Sequence, residues 1–199
     1  MNDVTGIVLA GGRSSRFGRD KLAEPVDGAP MLHHPIRRLA EVCSEILVVI
    51  PPEADKPDLP ADVDVRLVRD QEPFGGPLAG LAAALAGTRT GLALVAAGDM
   101  PELQDRVLLV MLARAEEPRI RAVALEERDA IRPLPCVLRV EPARASASDL
   151  LEAGGTSLRE LLAELEVTSI PGSEWERLDP RRRTLVDVDR PEDLETGSL

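Results

Sequence analysis

Three short apolar runs constrain this chain more than anything else in it: Val4–Leu9 (VTGIVL), Glu45–Ile50 (EILVVI) and Leu92–Ala97 (LALVAA). Each is too short for a buried helix and too continuously apolar for a strand with one wet face. Such runs are strands buried on both sides, and strands of that kind belong to parallel sheets covered by crossover helices. Helical patterns fill the intervals. Met31–Cys43 keeps Leu32, Ile36, Leu39, Ala40 and Cys43 at helical period, with Pro30 and Pro35 tolerated near its start. Pro77–Ala86 is an Ala/Leu helix stopped by Gly87, and Glu102–Ala115 is a third helix. Val63–Val68 alternates and reads as a strand nearer an edge, after a Pro- and Asp-rich loop, Glu53–Asp62. Arg121–Leu125 and Leu134–Leu138 read as short strands, and Ser157–Leu165 as a helix opened by a Ser157–Glu160 capping box. Leu185–Val188 reads as a last strand, with Pro191 starting a terminal helix. A chain of 199 residues suits a single domain spanning 1–199.

Charge and composition exclude several classes of partner. The formal net charge is -11, which opposes non-specific binding to nucleic acid phosphates. Aromatic residues make up 2% and tyrosine is absent, so there is little on which to stack bases. No apolar stretch reaches the roughly 20 residues that span a bilayer. The start, MNDVTGIVLAGG, lacks the basic n-region of a signal peptide. Cys43 and Cys136 form neither a disulfide framework nor a metal spacing. The expectation is a reduced, cytoplasmic protein without membrane or nucleic-acid partners.

Ligands of parallel α/β sheets sit beyond the carboxyl ends of the strands, so the residues just after each strand carry the functional reading. After the first strand comes Leu9-Ala10-Gly11-Gly12, then Arg13, Arg16, Arg19 and Lys21. Two glycines let backbone N–H groups approach an anion, and phosphate is the natural guest; the alternative is a tight turn with a solvated charge run. Neither of the two familiar glycine-rich phosphate motifs is present. Asp99, in AAGDMP, either contributes to a Mg2+ site opposite a phosphate loop or caps the helix near Glu102. Asp187 and Asp189, in VDVDRPEDL, would point the same way on a strand and either supply a second metal ligand or end that strand before a helix. Asp70 ends a strand and is placed to accept bonds from ribose or base. Gly75, Gly76 and Gly80 beside it either admit a flat ligand or pack a helix tightly on the sheet. RPLPCVLR either walls a second substrate or is an edge strand. His33 and His34 are expected on a helix surface, without a metal.

Together LAGGRSSRFGRDK, DQEPFGGPLAGLAAAL, GDMP, RPLPCVLR and VDVDRPEDL resemble, in order and over nearly the whole chain, the nucleotidyltransferases related to the molybdenum cofactor guanylyltransferase. Gly11, Gly12, Ser14, Arg16, Gly18, Asp20 and Lys21 hold the places of the family signature, with Phe17 where Met is usual. The resemblance implies a three-layer α/β/α sandwich with a Rossmann-like, mostly parallel sheet of the nucleotide-diphospho-sugar transferase type. It implies transfer of GMP from GTP, with Mg2+, to a phosphate-bearing molybdopterin acceptor, releasing pyrophosphate. It places Leu9, Ala10, Gly11 and Gly12 on the nucleotide and Lys21 at the reacting phosphates, supported by Arg16. Asp70 would lie on the nucleoside, and Asp99 with Asp187 on the metal. Asp189 and the Pro133 region would lie toward the acceptor. Transient contact with other cofactor-biosynthesis proteins or molybdoenzymes is a further implication. In well-known members an Asn near the end of the second strand touches guanosine; here Val49, Ile50, Pro51 and Pro52 stand there. Asn is also frequent where this chain has Asp187 and Asp189. Sister transferases with the same front loop are the alternatives: a cytidylyltransferase for the same pterin, or a guanylyltransferase for phospholactate. A non-catalytic nucleotide-binding homologue is the third.

Overall fold

Residues 4–9, 45–50 and 92–97 lie side by side as parallel strands, in register Leu9 to Val49 on one flank and Leu9 to Ala97 on the other. The computed structural model describes residues 3–11, 21–70 and 76–188. Its elements in chain order begin with β1 (Val4–Leu9), β2 (Pro25–Val26), β3 (Ala29–Pro30), α1 (His33–Ala40), β4 (Glu45–Ile50) and β5 (Val65–Arg69). Next come α2 (Gly76–Gly87), β6 (Leu92–Ala97), α3 (Asp105–Ala115), β7 (Ala122–Glu127) and β8 (Ala130–Arg139). Last are α4 (Val140–Glu152), α5 (Leu158–Glu164), β9 (Thr168–Ile170) and α6 (Gly172–Trp175). Among the described residues the main sheet has seven strands in the order β5-β4-β1-β6-β8-β7-β9. β8 pairs antiparallel with both of its neighbours; every other pairing in that sheet is parallel.

The side-chain period of two splits the core into two layers. Val4, Val8, Ile46, Val48, Leu94 and Ala96 face Ile36 and Leu39 of α1 and Val107, Leu108 and Met111 of α3. Ile7, Leu9, Leu47, Val49, Ala93 and Val95 face Leu78, Leu81 and Leu85 of α2, Ala143 and Ala147 of α4, and Leu161 of α5. The result is the expected three-layer α/β/α arrangement. Gly6 makes one of these contacts possible. A Cβ there would stand 2.7 Å from Ile46 Cδ1 and 3.1 Å from Leu39 Cβ, so only glycine lets α1 sit this close to β1. The capping box on α5 is present as expected. Among the described residues no helix is long and apolar enough to cross a membrane.

Three expectations are corrected. Leu185–Val188 is not a strand: Arg183–Leu185 is a single 3-10 turn and the chain then runs irregularly. Both flanks of β6 are already taken, by β1 and β8, so no ladder is open to it there. RPLPCVLR is not an edge strand. It forms most of β8, in the sheet interior, and its prolines fit because the register with β7 jumps from Leu125–Arg132 to Ala124–Cys136. Pro133, Leu134 and Pro135 therefore bulge out of a ladder to which the two prolines have no N–H to give. His33 is buried, not superficial, with Nε2 3.5 Å from Asp58 Oδ2 where the long loop after β4 covers the first turn of α1. His34 Nε2 lies 2.9 Å from the Val26 carbonyl oxygen. The expected terminal helix from Pro191 lies outside the described residues.

Candidate functional site

The carboxyl ends of β5, β4, β1 and β6 lie along one edge of the sheet, and the predicted residues follow them. Ala10 N donates to Val49 O at 2.8 Å and Gly98 N donates to Leu9 O at 3.0 Å, which locks the chain ends beyond three central strands together. Leu9 and Ala10 are buried, whereas Gly11 is exposed. Among the described residues a Cβ at Gly11 would meet nothing nearer than the Pro51 ring at 3.8 Å. Asp70 N donates to Ile50 O, setting Asp70 at the end of the edge strand. Its Oδ2 lies 3.7 Å from where a Cβ on Gly80 would stand, and the Val49 side chain is nearer still at 3.2 Å. Gly80 thus packs α2 tightly on the sheet, which is the second of the two readings for that glycine. Gly12 and Arg16, with Gly75 and Asp189, lie outside the described residues.

Lys21 and Asp99 meet although they are far apart in the chain. Lys21 Nζ donates to Asp99 Oδ2 at 2.7 Å, and the two side chains are 12% and 26% exposed. The helix-cap reading of Asp99 does not hold, because α3 begins at Asp105 with Gln104 at its cap. Lys21 opens a 3-10 turn, Lys21–Ala23, whose Leu22 packs on Gly98. A Cβ at Gly98 would lie 3.2 Å from both Leu22 methyls and 3.1 Å from Leu32 Cδ1. The late segment closes the same corner. Val188 N donates to Asp99 O at 3.1 Å, and the buried Val188 side chain packs with Val26 and Met31, against which Leu22 also lies.

Asp187, exposed beside Val188, lines a cleft of about 170 Å³ together with Ala97, Asp99, Arg132, Pro133 and Leu134. Arg132 Nη2 donates to Asp187 Oδ2 at 3.0 Å, and Nη1 lies 3.5 Å from Glu127 Oε2. Asp99 and Asp187 therefore reach one cleft, as expected, but by an irregular segment rather than a strand. Arg132 is the residue that sequence reasoning passed over. Its signal was an arginine directly before Pro-x-Pro in a strand, where the bulge turns residues toward the cleft. Just beyond Asp99, burial is the largest influence on Glu102 and raises its carboxyl above the ordinary carboxylate range, against the opposing charge of Arg183. Among the described residues no cluster of three or more His, Cys, Asp or Glu forms a metal cage.

Known proteins are similar to this chain in sequence and in fold. Residues 6–168 match the family described as the MobA-like NTP transferase domain. A probable molybdenum cofactor guanylyltransferase of Chloroflexus aggregans is 34% identical over 96% of this chain and 91% of its own length. A molybdenum cofactor guanylyltransferase of Xanthomonas euvesicatoria is 36% identical over 80% of this chain and 76% of its own. In fold, the chain is similar to the crystal structure of molybdopterin-guanine dinucleotide biosynthesis protein A from Archaeoglobus fulgidus. That match has a TM-score of 0.75 at 22% identity and covers 96% of this chain and 95% of that one. It is also similar to the 2-C-methyl-D-erythritol 4-phosphate cytidylyltransferase of Thermus thermophilus, with a TM-score of 0.68 at 17% identity over 95% and 94% of the two chains. With a family match spanning most of its length and relatives above 30% identity, the chain belongs to the MobA-like NTP transferase domain family.

Proposed function

We propose that the protein is a guanylyltransferase that moves GMP from GTP to the phosphate of a molybdopterin acceptor. The Lys21–Asp99 pair carries this reading: a cation and a carboxylate 2.7 Å apart, at the carboxyl edge of a parallel sheet, beside a cleft that also holds Asp187. The names of the relatives supply the acceptor and the base.

In this reading Leu9, Ala10 and Gly11, with Gly12, present backbone to the nucleotide. Packing among the described residues does not demand a glycine at position 11, and this reading gives it the close approach of a ligand as its use. Asp70 faces the nucleoside. Asp99 and Asp187 offer hard oxygen donors on the walls of one cleft, and that donor set suits Mg2+, which prefers a few carboxylates and completes its shell with water and substrate phosphates. Bound there, the ion would offset charge on the triphosphate. An oxygen of the acceptor phosphate attacks the α-phosphorus, the bond to the β-phosphate oxygen breaks, and pyrophosphate leaves with the bonding pair. The acceptor is already anionic, so no side chain needs to remove a proton. Lys21 leaves Asp99 for the phosphates, where its ammonium stabilises the charge of the transition state, with Arg16 supporting the triphosphate.

One observation favours a second reading, cytidylyl transfer to the same acceptor. After β4 the chain runs Pro51-Pro52, which offer no side-chain donor to a guanine; the carbonyls of Pro52 and Ala54 accept from Arg69 Nη1 at 2.8 and 2.9 Å. Pyrophosphate release from GTP, CTP, ATP and UTP, with Mg2+ and molybdenum-bound molybdopterin, decides. Release with GTP alone is the expected result. Release with CTP alone transfers the protein to the second reading, and release with neither refutes both.

A further inference from the structure

Among the described residues, Arg132 is the one cationic side chain lining the cleft that Asp99 and Asp187 share. It stands at the point where β8 leaves its ladder with β7, followed by the stiff Pro133-Leu134-Pro135 bulge, so its backbone position is well determined. Its side chain is 30% exposed, and its planar fork of donors matches the oxygens of a phosphate. A phosphate monoester entering this cleft meets two carboxylates. Lys21 is engaged with Asp99. Arg132 lines the same cleft and offers the acceptor a cation there.

The same guanidinium is bonded to Asp187 at 3.0 Å. A carboxylate oxygen that takes a divalent ion gives up most of its attraction for an arginine, because the ion carries the larger charge. Resting on the functional reading above, we infer that Arg132 binds the acceptor phosphate and that Asp187 controls its availability. With the metal absent, the Arg132–Asp187 pair occupies the acceptor's seat. When the metal–nucleotide engages Asp187, the fork is released toward the acceptor. Binding is therefore ordered, nucleotide first and acceptor second.

The test uses the full chain and the Arg132→Ala and Arg132→Lys variants, with melting temperature as a check on folding. Free Mn2+ measured by electron paramagnetic resonance, without nucleotide, reads the state of Asp187. Arg132→Ala should bind Mn2+ about two- to fivefold more tightly than wild type, the range set by losing one half-exposed competing ion pair. Weaker or unchanged Mn2+ binding overturns the control by Asp187, whatever the enzyme turns over. The KM for molybdenum-bound molybdopterin should rise by about 30-fold or more in Arg132→Ala, as for loss of a charged phosphate contact, and less in Arg132→Lys. The KM for GTP should stay within about twofold, since Arg132 is not assigned to the nucleotide. An unchanged acceptor KM overturns the role of Arg132 while leaving the transferase reading intact. A wild type that releases no pyrophosphate overturns that reading and, with it, the acceptor role. In wild type, acceptor binding should require both Mg2+ and a non-hydrolysable GTP analogue; equal binding without them refutes the order.

Discussion

Replacing Lys21 by methionine keeps most of the side-chain volume and removes the charge. At about 4 Å and an effective dielectric near 20, two unit charges interact by about 4 kcal/mol, or roughly 10³ in rate if the attraction is realised only in the transition state. Removal of one preorganised donor from a developing oxyanion typically costs about 10²–10³ in kcat, in agreement with that figure. The ammonium is held ready at 2.7 Å from Asp99 and is largely shielded from water, so its charge is not diluted by solvent before substrate arrives. Lys21→Met should therefore lower kcat by about 10²–10³ and change the KM for GTP by less than about tenfold. Lys21→Arg should be intermediate, because a planar fork cannot occupy the place of a point charge. Continuous pyrophosphate detection measures both parameters, with thermal melting as the control. A Lys21→Met protein that keeps more than about a third of wild-type kcat would refute placing this ammonium at the reacting phosphates.

Other expectations concern the frame around the site. Gly6→Ala should destabilise the fold by about 1–3 kcal/mol and lower Tm by about 2–12 °C, because Leu39 Cβ, close to its backbone, has little room to retreat. A melting curve matching wild type would show that α1 is not held against β1 as described. Glu102 has a carboxyl pKa raised above its unfolded value by burial, so the folded state binds its proton more tightly and stability falls as pH rises through that window, from about 4.5 upward. Glu102→Gln should match wild type in acid and be the more stable protein at neutral pH; denaturant titrations at several pH values measure this, and a less stable variant at neutral pH contradicts it. The Cys43 and Cys136 thiols are pushed up to about 12 by burial, so native protein should be inert to a thiol-specific disulfide reagent at neutral pH and react at both sites once unfolded.

The central strands were legible because burial on both faces leaves a continuous apolar signature, and Val4–Leu9, Glu45–Ile50 and Leu92–Ala97 match their observed bounds. α4 was not legible. Its buried face is Val140, Ala143 and Ala147, small side chains interleaved with serines and Pro142, so no large residues mark the helical period. Those small residues let it pack against α2. Lys21 and Asp99 could be named from the ends of their strands, but their ion pair depends on Leu22 seating against Gly98, which no local pattern encodes. Val-Asp-Val-Asp imitates an alternating strand. Whether such a segment becomes one depends on an open edge in the sheet, a property of the whole topology. Arg132 stayed in the background for the same reason: only the bulge in β8 brings it to Asp187.

The bond from Val188 N to Asp99 O, with the Val188 side chain seated beside Val26 and Met31, also bears on the life of the nascent chain. Translation delivers every strand of the sheet, and with them Lys21, Asp99 and Arg132, before it delivers Asp187. A chain stopped before Asp187 therefore carries every strand of the described sheet and lacks one corner. The last stitch both brings the second carboxylate and clamps the turn that carries the lysine. On the proposed function, a chain halted short of Asp187 would keep the sheet and the Lys21–Asp99 pair and lack the second carboxylate.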